Sequence, residues 1–232
     1  MKVLFYDLET TGFRPCGIMQ ISMIGIDTDD ENQDFEFTSF VNPGDEQIHP
    51  QVPHNLTLED VRDAPAFEQI SDDLMEFIDG SILVGFNNHT FDDCVLQDAY
   101  GIDDINEFIS SSYDILPLVK GISQNRALQE NGLMNPRPHD AEYDVRSLIA
   151  LVERLGVMEE LPEECTVAAR LLVQLLDFDQ FQIPTSDEIS GYEDEFLDDD
   201  GYITLGIYAG RTLEDVRVED PWFADFISQR MA

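Results

Sequence analysis

The chain has 232 residues, 43% of them apolar, enough for one large domain or a domain with a small appendage, and too apolar for global disorder. It carries 49 acidic residues against 12 Lys and Arg, a formal net charge of −37, and such a surface repels nucleic acid at low salt. Cys16, Cys94 and Cys165 have no CxxC spacing, which argues against a disulfide framework or zinc site, and the apolar runs are too short for a signal peptide or a membrane span.

Residues 2–7 read as a buried strand, 18–27 as a second, and 34–42, with period-two alternation, as a third closed by Asn42-Pro43-Gly44. Thr57-Leu58-Glu59-Asp60 resembles a short capped helix. Residues 66–79 place Phe67, Ile70, Leu74, Phe77 and Ile78 on one helical face, and Gly80 stops that helix. A fourth strand is expected over 81–86, a helix over 90–100, and a strand end with a short helix over 112–119. Residues 139–155 form the clearest amphipathic helix, closed by Gly156, and another helix covers about 163–176. Strands and helices in this order predict a mixed α/β layer fold. The stretch 177–201 is acidic and holds Pro, Ser and Gly, so it reads as a linker between a domain at 1–176 and a small module at 202–232. Within that module a strand is expected at 202–205 and short helices at about 212–218 and 221–230. About 30 residues rarely fold alone, so the module should dock on the main domain or on a partner.

Three places gather carboxylates. Asp7 and Glu9 lie two apart at a strand end and share one face. Such a pair suits a hard divalent cation with oxygen ligands, although a DxE pair taken alone also fits a solvated surface. Asp92 opens a helix after a strand, with Phe91 as an inward anchor and Asp93 as the competing neighbour. Its bland reading is an acidic residue favoured by the helix dipole. His139 and Asp144 are five apart, which brings them together if His139 lies in the loop before the helix and Asp144 in its second turn.

Taken together, Asp, Glu, Asp, His and Asp follow in the order of the DEDDh-type 3′-5′ exonucleases. The chain resembles that family at DLETTG (7–12), QISMIGID (20–27), LVGFNNHTFDDCVL (83–96) and HDAEYD (139–144), over about residues 1–156. It departs from the family pattern in the loop Gly85–Thr90, which is one residue longer than usual. The last residues, ITLGIYAGRTLEDVRVEDPWFADFI (203–227), resemble the small C-terminal module of some exonuclease X-like nucleases, with Ile207 and Ala209 at its basic positions and only Arg211 kept.

The resemblance implies a ribonuclease H-like fold with a mixed five-stranded sheet flanked by helices. It implies two Mg²⁺ (or Mn²⁺) ions held by Asp7, Glu9, Asp92 and Asp144, and His139 as general base. Leu8, Thr10, Thr11, Gly12 and Phe13, with Asn87 and Phe91, are the implied substrate-binding residues, Phe13 as an apolar wedge against a base. Arg14 and Arg137 are the nearest basic candidates for phosphate contacts. The implied reaction is release of 5′-mononucleotides from single-stranded DNA or DNA ends. RNA 3′ ends are the second reading, and a non-catalytic acidic module that binds a basic partner is the third. A polymerase or replication partner is compatible with the resemblance, and the oligomeric state is open. The charge fits a salty cytoplasm, where at about 1 M salt the Debye length falls to roughly 3 Å and self-repulsion is screened. An acidic decoy or an ordinary acidic cytoplasmic protein would carry it too.

Overall fold

The computed structural model describes residues 1–54, 56–176, 178, 181, 212 and 214, without the side chains of residues 31 and 32. Strand β1 (Lys2–Thr10) is apolar on both faces, which only a central strand covered on both sides can satisfy. Val3 and Phe5 enter one apolar cluster, Leu4, Tyr6 and Leu8 the other. Strands β2 (Ile18–Asp27), β3 (Asp30–Phe40), β4 (Ile82–Gly85) and β5 (Ser111–Asp114) complete a five-stranded sheet of order β3-β2-β1-β4-β5. The β1–β2 and β2–β3 pairs are antiparallel, while β4 runs parallel to both β1 and β5.

Helices α1 (Phe67–Ile78) and α2 (Asp92–Tyr100) bury Leu74, Ile78, Val95 and Leu96 against the face of Leu4 and Leu83. Helices α3 (Gln124–Glu130), α4 (Ala141–Leu155) and α5 (Glu163–Leu175) cover the opposite face, where Leu128, Leu148, Ile149 and Leu172 meet Val3, Phe5 and Val84. No helix among the described residues is long and apolar enough to cross a membrane.

Several expected boundaries move. β1 runs three residues past Tyr6-Asp7, because β2 keeps pairing with it as far as Thr10, opposite Ile18. β3 starts and ends earlier than 34–42, at Asp30 and Phe40. Thr57–Asp60 makes reciprocal bonds (Thr57 N–H to Asp60 Oδ2, 2.8 Å; Asp60 N–H to Thr57 Oγ1, 3.3 Å) but only turns follow, since no apolar stripe continues the pattern. The helix expected within 112–119 is likewise a run of hydrogen-bonded turns after β5. Helix α3 is absent from the sequence reading. Phe178 and Phe181 are buried against α4 and α5, and the Met134 N–H donates to the Phe181 carbonyl at 2.9 Å, so packed chain continues past residue 176. The rest of the linker at 177–201 and the module at 202–232 lie outside the described residues, Thr212 and Glu214 excepted.

Candidate active site

The sheet leaves a notch beside β1. β4 pairs with β1 only from Val3 to Phe5, so from Asp7 onward β1 has a strand neighbour on the β2 side alone. Backbone donors facing that gap need other partners. The Leu8 N–H finds one in Asp92 Oδ1, at 3.2 Å, and this bond draws the start of α2 to the end of β1. The loop between β4 and α2 accommodates its length with Asn87 in the left-handed region (φ 64°) and a single 3₁₀ turn at Asn88–Thr90. Asn87 is held by its N–H, which donates to Asp114 Oδ1 at 2.8 Å, and by Thr90 Oγ1, which donates to its side-chain oxygen at 2.8 Å.

Asp92 and Asp93 part ways. Asp92 lines the notch. Asp93 turns into the core, where the Tyr6 hydroxyl and Ser112 Oγ donate to it, the latter at 2.8 Å. The carboxylate that looked equivalent in sequence is a buried structural acceptor.

Asp7 and Glu9 continue the Val3–Phe5 face of β1, so they lie beneath the N-terminal end of α4. Asp140 caps that helix by accepting from the Glu142 N–H at 3.2 Å. Gln20, opposite Glu9 on β2, ties sheet to helix: its Nε2 donates to Asp140 and its Oε1 accepts from the Ala141 N–H, each at 3.2 Å. Asp144 falls in the first turn of α4 rather than the second, and His139 stands just outside the helix at φ 67°. That geometry closes the five-residue gap. The His139 N–H donates to Asp144 Oδ2 at 2.8 Å, and Asn135 Nδ2 donates to Asp144 Oδ1 at 2.8 Å. One ring nitrogen of His139 and one oxygen each of Glu9 and Asp144 lie within 4.8 Å of one another.

Asp7, Glu9, Asp92, His139 and Asp144 therefore share one cleft of about 880 Å³. Its electrostatics are set by burial and by repulsion among the carboxylates. Burial, then the Asp144, Asp92 and Glu9 carboxylates, hold Asp7 well above the usual carboxylate range. Burial, then Asp144 and Asp92, push Glu9 up to about 9. Burial raises Asp92 to about 7, against the opposing pull of main-chain hydrogen bonds. Asp144 also rises to about 7 through burial, although the His139 N–H and Asn135 favour its charged form. No Lys or Arg is among the described residues lining the cleft. An all-oxygen carboxylate set with one adjacent imidazole fits hard divalent cations, which would neutralise it.

The walls around the carboxylates combine apolar and polar side chains, with no Lys or Arg among the described residues. Leu8, Thr10, Gly12, Phe13, Asn87 and Phe91 all line the cleft. Phe13 is 48% exposed and meets His49 edge-on at 5.5 Å. Gly12 is required by the close approach of that loop, since a Cβ there would lie 2.9 Å from His49 Cβ. Thr11 is the implied substrate residue that does not face the cleft: its hydroxyl donates to Glu46 Oε2 at 2.8 Å and accepts from the Gly17 N–H at 3.0 Å. Arg14 is engaged by Asp98 in a two-pronged ion pair, both contacts 2.8 Å. Arg137 stacks on the Tyr143 ring at 4.6 Å and is not part of the cleft lining.

Two wall elements had no counterpart in the sequence reading. Residues 50–54 form one, anchored by buried His54, whose Nε2 donates to the Thr10 carbonyl at 2.7 Å while its Nδ1 accepts from the Leu56 N–H at 3.2 Å. These bonds fix its tautomer. Ser123, Gln124 and Asn125, at the start of α3, form the other. A Pro-x-Val-Pro-His string after a strand was the only trace of the first, and a Ser before a short polar helix that of the second.

A family model described as Exonuclease matches residues 4–152, well over half the chain. The chain belongs to the exonuclease family. The matched span runs from β1 to the last turns of α4 and so contains all five converging residues. Solved exonuclease I structures share the fold of this exonuclease-family chain: one, of exonuclease I discussed for its processivity, is 19% identical with a TM-score of 0.55 and covers 68% of this chain and 41% of its own. The zinc-bound E. coli ExoI–ssDNA complex is 19% identical with a TM-score of 0.55, covering 66% of this chain and 40% of that one. An ExoI/SSB-Ct complex is 19% identical with a TM-score of 0.52, covering 71% and 42% respectively. This chain thus spans about two fifths of the length of those proteins. No curated protein sequence matches it.

Proposed function

We propose that this chain is a divalent-metal-dependent 3′-5′ exonuclease that releases 5′-mononucleotides from single-stranded DNA or DNA ends. The observation that carries the proposal is the convergence of Asp7, Glu9, Asp92 and Asp144, with His139 beside them, in one cleft that has no Lys or Arg among the described residues lining it. The family match and the single-stranded DNA held by one structural relative support the substrate class.

In this reading Asp7, Glu9, Asp92 and Asp144 would hold two Mg²⁺ or Mn²⁺ ions. Such ions supply charge stabilisation for the attacking and leaving oxygens of the scissile phosphate. The chain's own residues do the rest. A ring nitrogen of His139 accepts the proton of the attacking water, close to the oxygens of Glu9 and Asp144. Phe13 and Phe91 offer apolar surface to the unpaired terminal base, a contact tolerant of sequence. The Thr10–Gly12 backbone, tied down by His54, shapes the pocket for the 3′-terminal sugar. With no Lys or Arg among the described residues of the walls, affinity would come from stacking and from bound ions rather than from long-range attraction.

The same proposal takes 1–176 as the nuclease domain, places the protein in a cytoplasm rich in salt, and keeps a replication partner open, supported by the SSB-Ct peptide on one relative. The test is a 5′-labelled single-stranded DNA oligomer incubated with Mg²⁺ or Mn²⁺, with chelator, and with the Asp144→Ala variant. A ladder shortening from the 3′ end, dependent on metal and lost in the variant, is expected. A ladder on RNA alone would move the substrate class to RNA, and no cleavage of either would refute the enzyme.

A further inference from the structure

Asp144 lies half-buried in the first turn of α4, and both its oxygens are tied. Oδ1 accepts from Asn135 Nδ2 and Oδ2 from the His139 N–H, each at 2.8 Å. Asn135 is itself 4% exposed, and its Oδ1 accepts from the Arg137 N–H at 2.9 Å. The two ends of the amide are thus assigned by chemistry: a carboxylate takes only a donor, and a main-chain N–H takes only an acceptor. Asp at this position would set a second negative charge against Asp144, and Leu would fill the space without bonding either partner. The segment is anchored just before Asn135, where Leu133 is buried and the Met134 N–H donates to the Phe181 carbonyl. After it the chain turns through His139 at a positive φ of 67°, a conformation a non-glycine residue holds only when its surroundings enforce it.

We propose that Asn135 is a positioning residue of the site: it aims the Asp144 carboxylate into the cleft and closes the turn that presents His139. One bond on each oxygen leaves a lone pair of each free toward the cleft, the arrangement by which outer partners orient metal-binding carboxylates. The inference rests on the metal-binding reading given above. Its chemistry is separate from packing, because only the N–H donor matters to Asp144 while the shape of the side chain serves the core.

The test is Mn²⁺ affinity of the full chain, read from free Mn²⁺ by electron paramagnetic resonance, for wild type, Asn135→Ala and Asn135→Leu, with melting in chelator as the control for folding. Both variants should bind Mn²⁺ about 10- to 100-fold more weakly. In the nuclease assay they should need correspondingly more Mn²⁺ for half-maximal rate, with the KM for DNA unchanged at saturating metal. Wild-type affinity in a folded Asn135→Leu would overturn the proposal. Wild type that itself binds no Mn²⁺ would overturn the metal-binding reading instead. A measurement without any variant guards against misfolding: the Asn135 side-chain NH₂ signals in a ¹⁵N spectrum should move on Mg²⁺ addition, and a pair that stays put would count against the proposal.

Discussion

Glu9→Gln should make the metal-free protein more stable while removing its activity. Glu9 is 7% exposed, and burial with the neighbouring Asp144 and Asp92 charges raises its pKa from 4.5 to about 9. The unfolded chain ionises it near pH 4.5, whereas the metal-free fold keeps it protonated up to about pH 9. Each pH unit between these limits costs the fold about 1.4 kcal/mol, so the cost is nil below pH 4.5, about 3 kcal/mol at pH 7, and about 6 kcal/mol at pH 9. The sign follows: a raised carboxylate pKa gives stability that is intact at low pH and lost as pH climbs. Gln keeps the shape and has no proton to lose. At about 2–4 °C per kcal/mol for a domain of this size, the variant in chelator should melt about 6–12 °C above wild type at pH 7, and level with it at pH 4.5. Thermal melts at pH 4.5, 7 and 9 measure this. A variant that melts at or below wild type at pH 7 and 9 would refute the reasoning. Added Mg²⁺ should reverse the order, stabilising wild type more than the variant.

Metal binding at pH 7 should release at least one proton, since Glu9 is protonated there and Asp92 and Asp144 are near half-titration; calorimetry in two buffers of different ionisation enthalpy reads this directly. Asp92→Ala should cost several orders of magnitude in rate, whereas Asp93→Ala should leave metal affinity intact and lower stability by about 1–3 kcal/mol, because it strands the Tyr6 and Ser112 hydroxyls in the core; paired melts and rate assays separate the two. Phe13→Ala should weaken single-stranded DNA binding by about 1–3 kcal/mol with little change in kcat, and Arg14→Ala, already committed to Asp98, should leave KM within about twofold. Activity should rise with KCl toward molar concentrations if the −37 charge is an adaptation to salt, and a steady fall from low salt would speak against it.

The sheet and the carboxylates were legible because they rest on short-range patterns. Continuous apolar runs located the central strands β1, β2 and β4, alternation located the edge strand β3, and Asp7 with Glu9 had to share a face whatever the rest of the chain did. The choice between Asp92 and Asp93 was not legible in the same way. It is made by tertiary contacts, with the unpaired Leu8 N–H drawing one carboxylate and the Tyr6 hydroxyl the other. The cleft wall at residues 50–54 was hidden for a related reason. Residues 50–54 have no periodicity and are anchored by a long-range bond from His54 to the Thr10 carbonyl. Helix α3 buries only Ala127 and Leu128 in seven residues, too little for an apolar stripe. Asn135 carries no signal at all until its two partners, nine residues on and two residues on, are seen around it.

The central claim is that these carboxylates run a metal-dependent hydrolysis from a 3′ end. Its most direct test is the first product released from single-stranded DNA labelled at its 3′-terminal nucleotide, separated by chromatography. The account predicts a labelled 5′-mononucleotide as that product, formed only with divalent metal and not by Asp7→Asn. Labelled oligonucleotides, a 3′-phosphorylated nucleotide, or release that persists in chelator would contradict it.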